Sequence, residues 1–214
     1  MNNISFRQND LAVAPREGRM VKTSALSYPM QEVAAQLFAA ETRRPLRHIM
    51  LAGVTRKVGT SSVARALSDS VAAGGSRVLI IELNTNQSDC STLPRLLAAP
   101  DTTSTEQPMT LQLGVDEVMA LIAPGSNAFE QVSRSLQERF DVVLWDLPPP
   151  GHTTPTAVAA RQMDGVILVV QNDRTTRRAL RYATERLRSQ DAHILGVVLN
   201  RVRRRLPRWL DRIS

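Results

Sequence analysis

Five short, continuously apolar runs alternate along this chain with segments of helical periodicity. The runs span residues 48–54, 77–83, 140–147, 165–170 and 193–200, and they are rich in valine, isoleucine and leucine. A strand that is apolar on both faces must be covered on both faces, which is the situation in a parallel sheet. The pattern predicts an α/β fold with a doubly wound, mostly parallel sheet and helices on both faces.

The segments between the apolar runs predict the helices. Apolar residues at helical spacing indicate helices over 29–44, 60–75 and 175–190. The stretch 85–125 is rich in Ser, Thr, Pro and Asn. We expect it to hold one short helix near 93–98 within a long loop.

Both ends of the chain differ in composition from its middle. We expect three parts: a flexible N-terminal arm over 1–27, one folded domain over 28–203 and a basic tail over 204–214. The formal net charge is +7, and residues 201–214 hold six arginines against the single acidic residue Asp211. Such a tail is typical of a solvated surface segment or of a contact for an anionic partner. An anionic membrane surface is the candidate for that contact, and nucleic acid is less favoured.

The composition excludes several classes of protein. Cys90 is the only cysteine, so no intramolecular disulfide framework exists. No run approaches the roughly 20 apolar residues of a membrane-spanning helix. The first residues, MNNISFRQND, lack the apolar core of a signal peptide. These features predict a cytoplasmic protein, or one held peripherally at a membrane by a partner.

The segment GVTRKVGTSS, residues 53–62, follows the first apolar run and opens a helix. A strand–loop–helix unit of this kind presents backbone N–H groups and a helix N-terminus to a phosphate. The strict phosphate-loop pattern requires a lysine where Thr60 stands and a glycine where Val54 stands. The same letters are also typical of an ordinary capped helix start. The residues predicted to contact a nucleotide here are Val58, Gly59, Thr60, Ser61 and Ser62.

Polar residues end three of the other predicted strands, where a parallel sheet binds its ligands. Glu82 and Asp146 are the candidate catalytic carboxylates if the protein is active. Ser61 and Asp146 are the candidate Mg²⁺ ligands, since a hydroxyl and a carboxylate supply the hard oxygens that this ion prefers. Asn200 and Arg201 end the last strand, and we predict that they contact the nucleotide.

Together, the order and spacing of these segments resemble the P-loop ATPases of the ParA/MinD class. Within that class the chain is similar to the bacterial tyrosine autokinases of capsule and exopolysaccharide synthesis, the CpsD/CapB-like branch. The resemblance covers residues 28–203 and rests on the loop at 53–62, the strands ending in Glu82 and Asp146, and the late Asn200-Arg201 pair.

The resemblance implies a fold, a cofactor and partners. It implies the three-layer sandwich of P-loop NTPases and ATP or ADP with Mg²⁺ as the bound group, unless the site has lost its ligand altogether. It also implies a membrane-embedded polysaccharide chain-length regulator or export component as partner, and self-association.

This chain departs from the family at the positions that carry the chemistry. Thr60 replaces the P-loop lysine, and Glu82 and Asn84 stand where the family has two aspartates. Asn86 replaces the arginine that usually follows them. Phosphoryl transfer depends mainly on positioning and on charge stabilisation, so these losses predict impaired catalysis.

Two further family features are missing. The oligomerisation helix carries Glu-x-x-Arg-x-x-Arg in the family, whereas here Glu32 is followed by Ala35 and Phe38 at those places. The tyrosine-rich tail is absent, because Tyr28 and Tyr182 are the only tyrosines.

Three functions fit these observations. The first is a degenerate, kinase-like accessory protein of exopolysaccharide or capsule biosynthesis and export, with weak or no phosphoryl transfer. The second is an active but divergent ATPase or protein-tyrosine autokinase. The third is a ParA/MinD-type positioning ATPase that uses the basic tail on DNA or membrane.

Overall fold

A computed structural model describes residues 4–5, 27–39, 45–84, 92–98, 107–123, 125–150 and 155–201. Strands and helices alternate through most of this part of the chain. The strands are β1 (Ile4–Ser5), β2 (His48–Gly53), β3 (Val78–Asn84), β4 (Met109–Gly114), β5 (Val142–Leu147), β6 (Gly165–Gln171) and β7 (Ile194–Asn200). The helices are α1 (Ser27–Ala39), α2 (Thr60–Ala73), α3 (Thr92–Ala98), α4 (Val115–Leu121), α5 (Ala128–Arg139), α6 (Pro155–Ala159) and α7 (Arg177–Arg188).

The seven strands form one sheet in the order β1-β7-β6-β2-β5-β3-β4, and every pair is parallel. Strand β2 lies in the middle, between β5 and β6, and its residues are buried throughout. The order reverses direction around β2, so the loop that follows β2 lies where such sheets bind their ligands. The predicted doubly wound, parallel α/β fold is confirmed.

The strand residues alternate between two apolar layers. Ile49 and Leu51 of β2 pack with α1 and α2 on one face, whereas Met50 and Ala52 pack with the layer that holds α4, α5 and α7. The period of two along a strand causes this alternation. Both faces are therefore covered, which explains why the strands are continuously apolar.

The predicted long loop over 85–125 is wrong in part. The short helix α3 is present, but Met109–Gly114 forms strand β4 beside β3, and helix α4 follows it directly. Strand β4 lies at the sheet edge, and Thr110 and Gln112 are exposed. Its sequence, MTLQLG, therefore alternates and lacks the continuous apolar signal of the central strands.

The ends of the predicted domain are only partly described. Ile4 and Ser5 of the predicted arm pair with Gly196 and Val197 of β7. The rest of the arm before Ser27, and the basic tail from residue 202, lie outside the described residues. None of the helices described is both long and apolar enough to cross a bilayer.

Candidate nucleotide-binding site

The loop between β2 and α2 is built around Gly59. This glycine has a φ of 89° and precedes the first residue of α2, and its carbonyl accepts the N–H of Val63 at 3.1 Å. A left-handed backbone favours glycine because it has no Cβ. The N–H groups of the first helical turn have no partner within the helix, so they and the positive end of the helix dipole suit a phosphate.

Gly53 lies one residue before the position of the strict motif's first glycine, and its lack of a side chain lets the loop pack closely against β2. A Cβ placed on Gly53 would lie 2.6 Å from Thr60 Oγ1 and 2.8 Å from a methyl group of Val58. The loop thus closes tightly onto the end of β2, and the Thr60 hydroxyl packs against Gly53. The predicted phosphate contact of Thr60 stays a prediction, and its side chain brings no charge.

Asn200 and Arg201 lie beside the loop, as their place at a strand end predicts. The Asn200 side chain is buried, and its Nδ2 donates to the carbonyl of Val58 at 2.8 Å. It also fills the space next to Gly59, where a Cβ would approach Nδ2 to 2.4 Å. Arg201 Nε lies 3.8 Å from the same point. Asn200 therefore fixes the loop and Arg201 brings a positive charge to it, whereas their contact with a nucleotide stays a prediction.

Asp146 and Ser61 meet at the other side of the loop. The Ser61 hydroxyl lies near the Asp146 carboxylate and lowers the pKa of that group. Glu82 of β3 lies directly opposite Asp146 in the strand register. Burial raises the pKa of Asp146 above its usual value, the Ser61 hydroxyl opposes this shift, and the nearby Glu82 carboxylate adds to it.

Arg65 completes this cluster, and we did not identify it from the sequence. Its Nη2 forms an ion pair with Glu82 Oε1 at 2.7 Å. Gln112 Nε2 donates to Glu82 Oε2 at 3.5 Å, and Asn84 Nδ2 donates to Gln112 Oε1 at 3.1 Å. One signal was available: Arg65 follows Ser61 by four residues, so both side chains lie on the same face of α2.

The site residues fit a nucleotide better than they fit a metal ion. The open helix start at Ser61 and the glycine turn suit a phosphate, and the oxygens of Ser61 and Asp146 are the kind that Mg²⁺ prefers. Glu82, however, is already paired with Arg65. No cluster of three or more His, Cys, Asp or Glu side chains that could hold a metal ion occurs in the described part of the chain.

The loop carries two other positive charges. Arg56 and Lys57 are both exposed, and Lys57 has a left-handed backbone with a φ of 64°. The loop thus keeps its shape without the charge that the family places at residue 60.

Asn86 and the tail arginines beyond Arg201 lie outside the described residues. On α1 Glu32 is exposed, and on α7 Tyr182 is 42% exposed.

Comparisons with known proteins agree with this geometry. The tyrosine-protein kinase CpsD of Streptococcus agalactiae serotype III (strain NEM316) is 25% identical over 189 residues, covering 87% of this chain and 71% of CpsD. The kinase domain of the Escherichia coli tyrosine kinase ETK superposes with a TM-score of 0.69 at 19% identity, covering 85% of this chain and 77% of that domain. No protein-family model matches the chain.

A third comparison concerns ligands. Cobyrinic acid a,c-diamide synthase from Mycobacterium smegmatis, solved with an ATP analogue and magnesium, superposes with a TM-score of 0.58 at 18% identity, covering 78% of each chain. At that identity the likeness concerns the fold alone. Taken with CpsD and ETK, it supports the resemblance stated above: the chain is similar in sequence to the CpsD tyrosine kinases and has the ParA/MinD-type P-loop fold.

Proposed function

We propose that this CpsD-like protein is a degenerate tyrosine-kinase-like accessory protein of exopolysaccharide or capsule biosynthesis and export. It binds a nucleoside diphosphate or triphosphate weakly at the loop after β2 and transfers phosphoryl groups slowly or not at all. It acts from the cytoplasmic side of the inner membrane, together with a membrane-embedded chain-length regulator or export component.

The observation that carries the proposal is the environment of Thr60. Its hydroxyl packs against Gly53 at the base of the loop, and the loop cations Arg56 and Lys57 are exposed. Phosphoryl transfer needs positive charge on the transferred group. A loop that keeps the glycine turn and the helix start but lacks this charge supports binding more than catalysis.

The surviving residues support nucleotide binding. Ser61 and Asp146 remain close to each other, and Asn200 holds the loop from the end of β7. The proposal of a membrane-embedded partner is supported by the family resemblance and by the similarity to CpsD. Binding of the chain-length regulator is tested by co-purification of the two proteins from membranes.

The deciding experiment compares the protein with Thr60→Lys and Ala73→Lys by titration calorimetry with ADP and ATP. Ala73 is exposed at the far end of the same helix, so this control adds the same charge away from the loop. We expect Thr60→Lys to bind ATP about tenfold more tightly, since a hydrogen bond to a charged group contributes roughly 1.5–3 kcal/mol. The control should leave the affinity unchanged.

Turnover separates this proposal from an active enzyme. We expect neither ATP hydrolysis nor phosphotyrosine above background with the unmodified protein. Hydrolysis that Asp146→Ala abolishes would instead establish the divergent ATPase or autokinase. Binding of neither nucleotide by any of the three proteins would remove the nucleotide from the proposal and leave a scaffold.

A further inference from the structure

Arg65 lies next to the carboxylates at the ends of β3 and β5. It belongs to α2, one helical turn after Ser61, and its guanidinium contacts Glu82 at 2.7 Å. The Glu82 side chain is only 16% exposed, whereas that of Arg65 is 59% exposed. The cation therefore reaches from the solvent side onto a mostly buried anion.

The partner of Arg65 is part of a pair of like charges. Glu82 and Asp146 are opposite each other on neighbouring strands. The charge of Arg65 also acts on Asp146: burial and, less strongly, the Glu82 carboxylate raise the pKa of the Asp146 carboxyl, and Arg65 lowers it. One guanidinium thus lies against the pair and weakens the repulsion between the two carboxylates.

The second oxygen of Glu82 is also engaged. Gln112 Nε2 donates to Oε2, and Asn84 holds Gln112 in turn. Both oxygens of Glu82 therefore face protein donors. A divalent cation would have to displace Arg65 to gain this carboxylate, and with Arg65 in place it would meet a positive charge beside the pair.

We propose that Arg65 is the built-in counter-ion of the Glu82–Asp146 pair and makes divalent cations dispensable at this site. Arg65 offsets one of the two negative charges that a divalent cation would otherwise offset. A nucleoside diphosphate then binds the loop without a requirement for Mg²⁺. This last step rests on the proposed function, whereas the statement about the carboxylates does not.

Binding of Mn²⁺ alone tests the counter-ion directly. Free Mn²⁺ is measured by electron paramagnetic resonance with the full chain, with Arg65→Ala and Arg65→Gln, and with Arg181→Ala as the control. Arg181 is an exposed arginine that pairs with Glu185 on α7, so its loss removes a charge and an ion pair elsewhere.

We expect either Arg65 variant to bind Mn²⁺ at least about tenfold more tightly than the unmodified protein, because a positive charge within a few ångströms of the ion is removed. Arg181→Ala should change the affinity by less than about twofold, since that pair is exposed and screened. Adding Glu82→Gln to Arg65→Ala should abolish the gain, which ties it to this carboxylate. Equal Mn²⁺ affinity in the unmodified protein and both Arg65 variants would overturn the proposal.

Titration with ADP tests whether nucleotide binding requires Mg²⁺. The unmodified protein should bind ADP with affinities that differ by less than about twofold between Mg²⁺ and EDTA, whereas Arg65→Ala should require Mg²⁺, since an unneutralised carboxylate pair repels the phosphates. A strong Mg²⁺ requirement in the unmodified protein would overturn the proposal. If no variant binds ADP, the nucleotide part of the proposed function fails, while the Mn²⁺ measurement still decides the role of Arg65.

Discussion

Trp145 and Asp146 are consecutive residues of β5, yet they lie in opposite chemical surroundings. Trp145 is fully buried, and its Nε1 donates to His48 Nδ1 at 3.2 Å. The other ring nitrogen of His48, Nε2, lies 2.8 Å from Ser133 Oγ. Asp146, one residue later, faces Ser61 and Glu82 at the rim of the sheet.

The two side chains point to opposite faces because successive residues of a strand alternate. Around Trp145 the polar atoms satisfy one another inside an apolar core, which also includes Phe129 with its ring 6.0 Å from Trp145. Around Asp146 two carboxylates lie together and a single arginine offsets them. Consecutive residues of one strand therefore have different roles. Trp145 belongs to a hydrogen-bonded group that stabilises the core, whereas Asp146 belongs to the charged candidate site.

The largest effect should come from removing the buried indole. Trp145→Ala should lower the free energy of unfolding by about 3–5 kcal/mol, because it deletes a large buried side chain and leaves a cavity. Chemical denaturation measures this change. Trp145→Phe keeps a ring and loses the hydrogen bond to His48, so it should cost less than the alanine variant. An alanine variant that loses under about 1 kcal/mol would show that the indole does not stabilise the core.

The buried imidazole should make stability fall in acid. Burial lowers the pKa of His48 from 6.5 to about 4, so the unfolded chain binds a proton that the folded protein excludes. Stability from this group is complete above pH 6.5 and decreases as the pH falls toward 4, by about 3 kcal/mol in all. Unfolding free energies of the protein and of His48→Gln, measured from pH 7 to pH 4, isolate the effect. Parallel pH profiles for the two proteins would contradict it.

The smallest effect should be a gain in the free energy of unfolding when Asp146 is replaced. The pKa of Asp146 is raised, so its ionised form costs stability once the pH exceeds the ordinary value of 3.8. Asp146→Asn should therefore stabilise the protein at pH 7, by about 0.5–2 kcal/mol, the range common for single stabilising substitutions. The gain should shrink as the pH falls toward 3.8, and thermal unfolding across this range measures it.

Asp141 lies just before β5 and provides a control, because its pKa is shifted in the opposite direction to that of Asp146. Its hydrogen bonds with the Arg77 side chain, the largest cause, hold the pKa of its carboxyl below the usual value. Asp141→Asn should therefore destabilise the protein at pH 7. If both asparagine variants shifted stability in the same direction, the contrast between a paired and a crowded carboxylate would be wrong.

The sequence predicted the central strands well and the sheet edge poorly. Strands β2, β5 and β6 are apolar on both faces because helices cover both, and this signal is local. Strand β4 has exposed Thr110 and Gln112, and β1 is two residues long, so neither has such a signal. The loop after β2 was predictable for the same local reason, since its glycine turn and helix start are contiguous in the chain.

By itself, the sequence determined the parallel α/β architecture, the place of the loop and the absence of a lysine at residue 60. Only the tertiary structure decided what surrounds these residues. Asn200 contacts Val58 from 142 positions away, and Arg65 meets Glu82 from a different element. Periodicity sets the face on which a side chain lies, but which groups share that face depends on how strands far apart in sequence align in the sheet. The charge balance of the candidate site is therefore a property of the fold.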